Sequence, residues 1–250
     1  MKSISNIAPM KPTFEVSEVE ATATQATIAI EPLEQGYGHT VGNALRRVML
    51  TSLPGHAISS VRIKGVDHQY TALEGMSEDI IELVLNLKQV RIKSDATEPF
   101  TIKLEAKGAA EVTAADINTG GVAEVVNPDL FLATLAKGAK LEVEMTVDSG
   151  IGYEVGADRT SSVIGEIPVD AMYSPVVKVN YKVEATRVGR RTDYDRIVIH
   201  VQTDGTIKPV EAVKQSAQIL AKQFVQVFDP TIVKEEVEEE KLSPEESRGK

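Results

Sequence analysis

The sequence predicts an α+β fold in which a helix-and-sheet unit, built from both ends of the chain, encloses a mostly β block. Two segments with the apolar spacing of helices, near residues 38–53 and 209–228, support this fold class. Alternating strand patterns precede each of these helices. Between about Gly55 and Pro175 the texture changes to short alternating runs interrupted by one helix.

Composition restricts the class of protein. A chain of 250 residues can bury a sizeable core, and the absence of cysteine excludes disulfides and thiolate metal sites. The formal net charge of −10 argues against non-specific nucleic-acid binding by the whole surface. No run of about 18 apolar residues and no signal-peptide core occur, so we expect a soluble cytoplasmic protein without a membrane span.

Strand patterns recur along the chain. At the N-terminal end they cover residues 14–20 and 26–32, and in the middle block they cover 61–66, 100–106 and 140–150. The middle helix, with the sequence SEDIIELVLNLK, is expected to begin at an N-cap formed by Ser77. Further strands at 176–186 and 196–203 follow, and the first of them should place Val177, Val179, Tyr181 and Val183 on one face.

The helix near residues 38–53 has two faces of different chemistry. Its apolar face carries Val41, Ala44, Leu45, Val48 and Met49. Its opposite face combines an amide, two arginines and a large apolar residue: Asn43, Arg46, Arg47 and Leu50. The planar guanidinium group suits interface ion pairs, which favours a protein-binding surface. Arginine stems that lie along a solvated surface are the equally weighted alternative.

The second long helix has an apolar arc wider than one sheet face normally covers. The arc consists of Val210, Val213, Ala217, Leu220, Ala221, Phe224, Val225, Val227 and Phe228. This helix could contact both its own sheet and a second chain, or it could lie in a deep groove of its own core.

No catalytic constellation stands out in the sequence. The turn GYGHTVG at residues 36–42 follows a strand and opens a helix, but its glycine spacing does not match a dinucleotide-binding loop. A nucleotide-binding enzyme that uses this turn is therefore the weaker alternative. Asp193 and Asp195 could share a strand face as metal ligands, although the flanking arginines favour an ion-paired surface. The four histidines lack zinc-ligand spacing, and we expect no metal and no cofactor.

Four motifs in order resemble the N-terminal domain of the alpha subunit of bacterial RNA polymerase. They are EPLEQGYGHTVGNALRRVML, HQYTALEGMSEDIIELVLNLK, VDAMYSPV and VEATRVGRRTDYDRIVIHVQTDGTIKPVEAV. The resemblance implies a discontinuous dimerisation subdomain over 1–55 and 175–230, an inserted β-rich subdomain over 56–174, and an acidic disordered tail or linker over 231–250.

The resemblance also implies partners and contact residues. A homodimer would nucleate a core enzyme of two alpha chains with beta, beta-prime and omega, as a non-catalytic subunit of a nucleotidyltransferase located in the cytoplasm and at the nucleoid. Dimerisation would involve Val41, Leu45, Val48, Val213, Leu220, Phe224 and Phe228. Contact with beta would involve Arg47, Arg46, Leu50 and Asn43. Contact with beta-prime would involve Lys88, Val169, Asp170 and Arg196. The family usually continues into a DNA-binding helical domain beyond the linker, so we expect no sequence-specific DNA contact from this chain.

Overall fold

The computed structural model describes residues 14–159 and 165–228. A four-stranded antiparallel sheet is formed from both ends of the chain, in the order β1-β2-β15-β14. Its strands are β1 (Glu15–Ala21), β2 (Gln25–Leu33), β14 (Val176–Val188) and β15 (Arg191–Thr203). Two helices pack on it, α1 (Tyr37–Thr51) and α3 (Pro209–Phe228), and they also contact each other. The predicted tail lies outside the described residues.

The middle of the chain forms a second sheet with seven strands. Its order is β7-β5-β10-β3-β4-β8, and β12 pairs with β3. These strands are β3 (Pro54–Ile63), β4 (Ile92–Ser94), β5 (Phe100–Lys107), β7 (Ile117–Asn118), β8 (Ala123–Val125), β10 (Lys140–Ile151) and β12 (Glu166–Pro168). Two small two-stranded sheets accompany it: β6 (Ala110–Thr113) with β9 (Phe131–Leu135), and β11 (Tyr153–Glu154) with β13 (Ala171–Met172). The α+β class with a β-rich insert is confirmed.

Each large sheet has its own hydrophobic core. The core of the first sheet includes Met49, Ile197 and Ile199, all fully buried, and residues from 26–53 and 176–220 contribute to it. The core of the second sheet includes Leu83 of α2 (Ile80–Leu87) and alternate residues of β10, and its members lie between residues 58 and 169. The alternation in β10 is confirmed, because Leu141, Val143, Met145 and Val147 are all buried.

Two predictions of local structure were wrong. Helix α2 begins after Asp79 rather than after Ser77, and the Asp79 side chain makes no capping hydrogen bond. The Glu78 carboxylate instead accepts a hydrogen bond from the Thr134 backbone N–H of β9, at 2.7 Å, which holds this turn away from helical geometry. In β14 the pairing register shifts between Val176 and Lys178, so Val176 is buried and Val177 is exposed.

Helix α1 lies very close to strand β14 because two of its residues have no side chain. A Cβ atom on Gly42 would lie 2.7 Å from the Tyr181 ring, and one on Gly38 would lie 2.6 Å from Val183 Cγ1. The Asp195 carboxylate of β15 also accepts hydrogen bonds from the backbone N–H groups of Gly36 and Gly38, each at 2.9 Å. Asp195 therefore provides acceptors for two amides at the N-terminus of α1. Its negative charge also interacts favourably with the positive end of the helix dipole.

We predict that Gly42→Ala destabilises the fold although alanine is the better helix former. The added methyl group must displace Tyr181, and overpacking of this kind costs about 1–3 kcal/mol. The gain in helix propensity is only about 1 kcal/mol. Chemical denaturation at matched chain concentration should show a lower free energy of unfolding.

Thr40→Ala is the matched control, because Thr40 is exposed on the same helix. Its free energy of unfolding should change by less than about 0.7 kcal/mol. A Gly42→Ala protein as stable as the wild type would contradict the close-packing account.

Candidate partner-binding surfaces

The two neighbouring arginines of α1 occupy different environments. Arg46 is held to its own sheet, because its Nε donates a hydrogen bond of 3.2 Å to the carbonyl oxygen of Val179 in the edge strand β14. The exposed Arg47 side chain has no hydrogen-bond or ion-pair partner within residues 14–159 and 165–228. A charged, planar donor group is therefore available to another molecule at Arg47.

The rest of this helix face is also accessible. Asn43 is exposed, and Leu50 is half-buried against the core of the first sheet. His39, one turn before Asn43, lies edge-on to Tyr181 with ring centroids 6.2 Å apart. We call Asn43, Arg46, Arg47 and Leu50 the outer face of α1. It combines hydrogen-bond donors with apolar area, as protein interfaces do.

A second candidate surface is organised around the carboxylate of Asp170. Its Oδ2 accepts hydrogen bonds from Lys88 Nζ at 2.9 Å and from Tyr153 Oη at 2.8 Å, and its Oδ1 accepts one from the Gly156 backbone N–H at 2.9 Å. The Gly156 amide first, and then Lys88 and Tyr153, lower the pKa of Asp170 to about 2. The carboxylate is therefore charged at neutral pH.

The same contacts determine the state of the Lys88 ammonium group. Burial lowers the pKa of Lys88, but hydrogen bonds to Asp170 and Tyr153 outweigh it, so the pKa is raised overall. The ammonium nitrogen also lies 5.2 Å from the centre of the Tyr153 ring, within cation–π range. We call Lys88, Tyr153, Gly156 and Asp170 the Asp170 cluster.

Exposed apolar side chains accompany the Asp170 cluster. Tyr153 is 51% exposed and pairs across β11 and β13 with Met172, which is also exposed. Ile151 and Val155 precede and follow Tyr153 by two residues, and Leu85 precedes Lys88 on α2; all three are exposed. Large apolar side chains around a fixed charge pair are typical of a surface that binds protein.

The other two residues predicted to meet beta-prime lie in more enclosed positions. Val169 is only 2% exposed and belongs to the core of the second sheet, so its side chain supports this surface from beneath. Arg196 Nε lies 3.6 Å from a Glu31 oxygen and is buried without a hydrogen-bond partner among the described residues. The contact roles of both residues stay predictions.

Helix α3 carries apolar side chains that its own sheet does not cover. Its core side is formed by Ala212, Val213 and Ser216, all buried, of which Ala212 and Ser216 were not expected there. Leu220 is half-buried, while Phe224 is 68% exposed and Val227 is 85% exposed. We call Ala217, Ala221, Phe224 and Val227 the free apolar side of α3.

The remaining residues predicted to form the dimer interface lie on both helices. On α1, Leu45 and Val48 are buried in the chain's own core, and Val41 is half-buried. Phe228 is the last residue of α3, and its side chain lies outside the described residues.

The glycine turn at residues 36–42 has few free amide groups with which to bind the phosphate of a nucleotide. The two amides that would approach a phosphate, those of Gly36 and Gly38, already donate to Asp195. The neighbouring Asp193 forms a two-bond ion pair with Arg191, at 2.9 and 3.0 Å. The two carboxylates thus serve separate structural contacts, and the described residues contain no group of three potential metal ligands.

Sequence reasoning missed Tyr153 as a member of the Asp170 cluster. Tyr153 lies 65 residues from Lys88 and 17 from Asp170, and its short strand carries no motif that links it to either. It also missed the role of Asp195 at the start of α1, which depends on a contact across 157 residues.

Comparisons of the sequence with protein-family models and with curated proteins agree on one family. The model of the RNA polymerase Rpb3/RpoA insert domain matches residues 61–174, the part that forms most of the second sheet. Among the described residues, no helix is long and apolar enough to cross a membrane.

Relatives that cover most of the chain extend the match beyond this domain. A protein of Limosilactobacillus reuteri is 42% identical over 91% of this chain and 76% of its own length. One of Alkaliphilus metalliredigens is 43% identical over 93% of this chain and 77% of its own. One of Roseiflexus castenholzii is 46% identical over 86% of this chain and 67% of its own length. All three are named DNA-directed RNA polymerase subunit alpha. The chain therefore belongs to the alpha-subunit family of DNA-directed RNA polymerase, a nucleotidyltransferase complex that carries out transcription.

Proposed function

We propose that this alpha subunit is a homodimeric scaffold on which the beta and beta-prime subunits assemble. One observation carries the proposal: α1 is fixed to its own sheet by one face and by Arg46, while Arg47 on the outer face has no partner among the described residues. The scaffold would act in the cytoplasm and at the nucleoid, where DNA is transcribed.

The free apolar side of α3 supports the homodimer. From Ala221 onward every side chain described in α3 is exposed or half-buried, so the last two turns lack cover from their own chain. A helical end with exposed Phe224 and Val227 gains stability only when another surface covers it. A second copy that packs α1 and α3 against these helices would bury it. Obligate interfaces of this kind bury about 2,000 Å² or more.

The proposed scaffold also implies how the chain is divided into subdomains. Residues 1–55 and 175–230 would form the dimerisation subdomain, 56–174 the inserted subdomain, and 231–250 an acidic linker. The separate cores of the two large sheets support this division.

Two different faces would then meet the two large subunits. The outer face of α1 would meet beta, with Arg47 as its principal donor. The surface around Lys88 and Asp170, with Val169 beneath it and Arg196 on the first sheet, would meet beta-prime. Two chemically distinct surfaces on one chain fit a platform better than they fit a free-standing dimer.

Catalysis would take place in the large subunits. Nucleotidyl transfer needs carboxylates that converge on magnesium ions. The candidate carboxylates of this chain are otherwise engaged: Asp195 binds the amides of α1, and Asp193 pairs with Arg191. The chain would thus contribute assembly and orientation.

We predict that Arg47→Ala weakens capture of beta by at least about 2 kcal/mol while the dimer stays folded. The Arg47 side chain makes no polar contact within residues 14–159 and 165–228, so its removal should leave the free energy of unfolding nearly unchanged. Binding of purified beta to immobilised dimer measures the first effect, and chemical denaturation measures the second.

Arg62→Ala is the matched control for charge, because Arg62 is exposed on β3 outside both proposed surfaces. It should bind beta like the wild type. The beta-contact proposal fails if Arg47→Ala also binds beta with unchanged affinity.

We predict that Phe224→Ala weakens the dimer without unfolding the chain. Phe224 is 68% exposed in one chain, so its truncation removes little from the chain's own core. An interface residue of this kind contributes about 2 kcal/mol or more. Sedimentation equilibrium should show a shift toward monomer at low concentration.

Gln226→Ala, on the polar side of the same helical turn, is the control and should leave the oligomeric state unchanged. Equal dissociation constants for Phe224→Ala and the wild type would exclude this side of α3 from the dimer interface.

A further inference from the structure

We propose that Asp170 is a positioning residue, which holds the Lys88 ammonium group and the Tyr153 hydroxyl in one arrangement for the beta-prime partner instead of contacting that partner itself. This inference rests on the proposed scaffold function. It changes the role of Asp170 from a contact residue to the residue that orders two others.

The hydrogen bonds of Asp170 support this role. Both of its carboxylate oxygens are occupied by groups of its own chain: Oδ1 by the Gly156 amide, and Oδ2 by Lys88 and Tyr153. The ammonium group of Lys88 has three donors, of which one is directed to Asp170 at 2.9 Å and one to Tyr153 Oη at 3.5 Å, and Tyr153 is 51% exposed. Because the charge of Asp170 is already paired within the chain, the hydrogen-bond donor left for a partner is the third N–H of Lys88, beside the exposed ring of Tyr153.

Asp170 also joins three separate elements, which are otherwise linked here by a longer 3.5 Å hydrogen bond from Lys88 Nζ to Tyr153 Oη. Lys88 follows the last turn of α2, Tyr153 lies in β11, and Gly156 opens a short 3-10 turn. Without the carboxylate, the four-carbon stem of Lys88 would sample many rotamers, and a partner would have to restrict it on binding. A side chain ordered before binding avoids that loss, which is the general advantage of preorganisation.

The surrounding surface explains why preorganisation matters here. Leu85, Ile151 and Met172 are exposed, so a partner that covers them brings the charge pair into a drier environment. In such an environment Lys88 needs its counter-charge in place, because an unpaired buried ammonium group is costly. Asp170 supplies that charge from 2.9 Å away.

The test is a double-mutant cycle on beta-prime binding to the assembly of the alpha dimer with beta. Asp170→Asn keeps the shape and an acceptor oxygen for Gly156 but removes the charge that holds Lys88. Lys88→Met removes the ammonium group. Each variant should weaken beta-prime binding about tenfold, and the double variant should bind no more weakly than the weaker single variant.

Tyr153→Phe provides a second route if Asp170→Asn folds poorly. It removes only the hydroxyl that Asp170 holds, and it should also weaken beta-prime binding without an additive effect in combination with Lys88→Met. Glu144→Gln is the matched control, because Glu144 forms a 2.7 Å ion pair with Lys103 elsewhere on the second sheet. It should bind beta-prime like the wild type.

The outcomes separate the inference from the function on which it rests. Additive losses for Asp170→Asn and Lys88→Met would show that Asp170 contacts the partner directly, and would overturn the positioning role. Unchanged beta-prime binding by Asp170→Asn would also overturn it. If the wild-type assembly captures no beta-prime, the proposed function itself fails, whatever the variants do.

Discussion

The close contact between α1 and the edge of the first sheet is the constraint on which the proposed surfaces depend. Gly38 and Gly42 allow the helix to lie against β14 at a distance that a Cβ atom would prevent. The Asp195 carboxylate then binds the first amides of the helix. Because one side of α1 is fixed in this way, its other side is held outward in a single orientation.

Two of the carboxylates that accept hydrogen bonds from backbone amides, those of Asp195 and Asp170, have different consequences for function. Asp195 satisfies the N-terminus of α1 and thereby occupies the turn that would otherwise suit a phosphate. Asp170 binds the Gly156 amide and, with its other oxygen, holds Lys88 and Tyr153. In both places an acidic side chain orders the chain's own donors, and in the second we propose that this order prepares the surface for beta-prime.

Much of the fold could be predicted from the sequence, because periodicity reports burial directly. The alternating run over residues 140–150 predicted a strand with one apolar face, and the alternate residues of β10 are buried. The N-cap of α2 and the face of Val177 could not be predicted. The first depends on a hydrogen bond from distant Thr134, and the second on a register shift that periodicity does not reveal.

The candidate surfaces, too, could be predicted from the sequence only in part. The amphipathic pattern of α1 predicted an unusual outer face, but it treated Arg46 and Arg47 as equivalent. Only the position of Val179 on the neighbouring strand distinguishes them. The family motifs likewise selected Lys88 and Asp170 as separate contacts, whereas the fold joins them into one ion pair of 2.9 Å.

The most direct test of the account is arginine-selective chemical footprinting, read by mass spectrometry, on the dimer alone and in complex with beta. The account predicts that Arg47 reacts in the free dimer and becomes protected when beta binds. The reactivity of Arg62 should stay the same. An Arg47 side chain that reacts equally in both states would contradict the claim that the outer face of α1 receives beta.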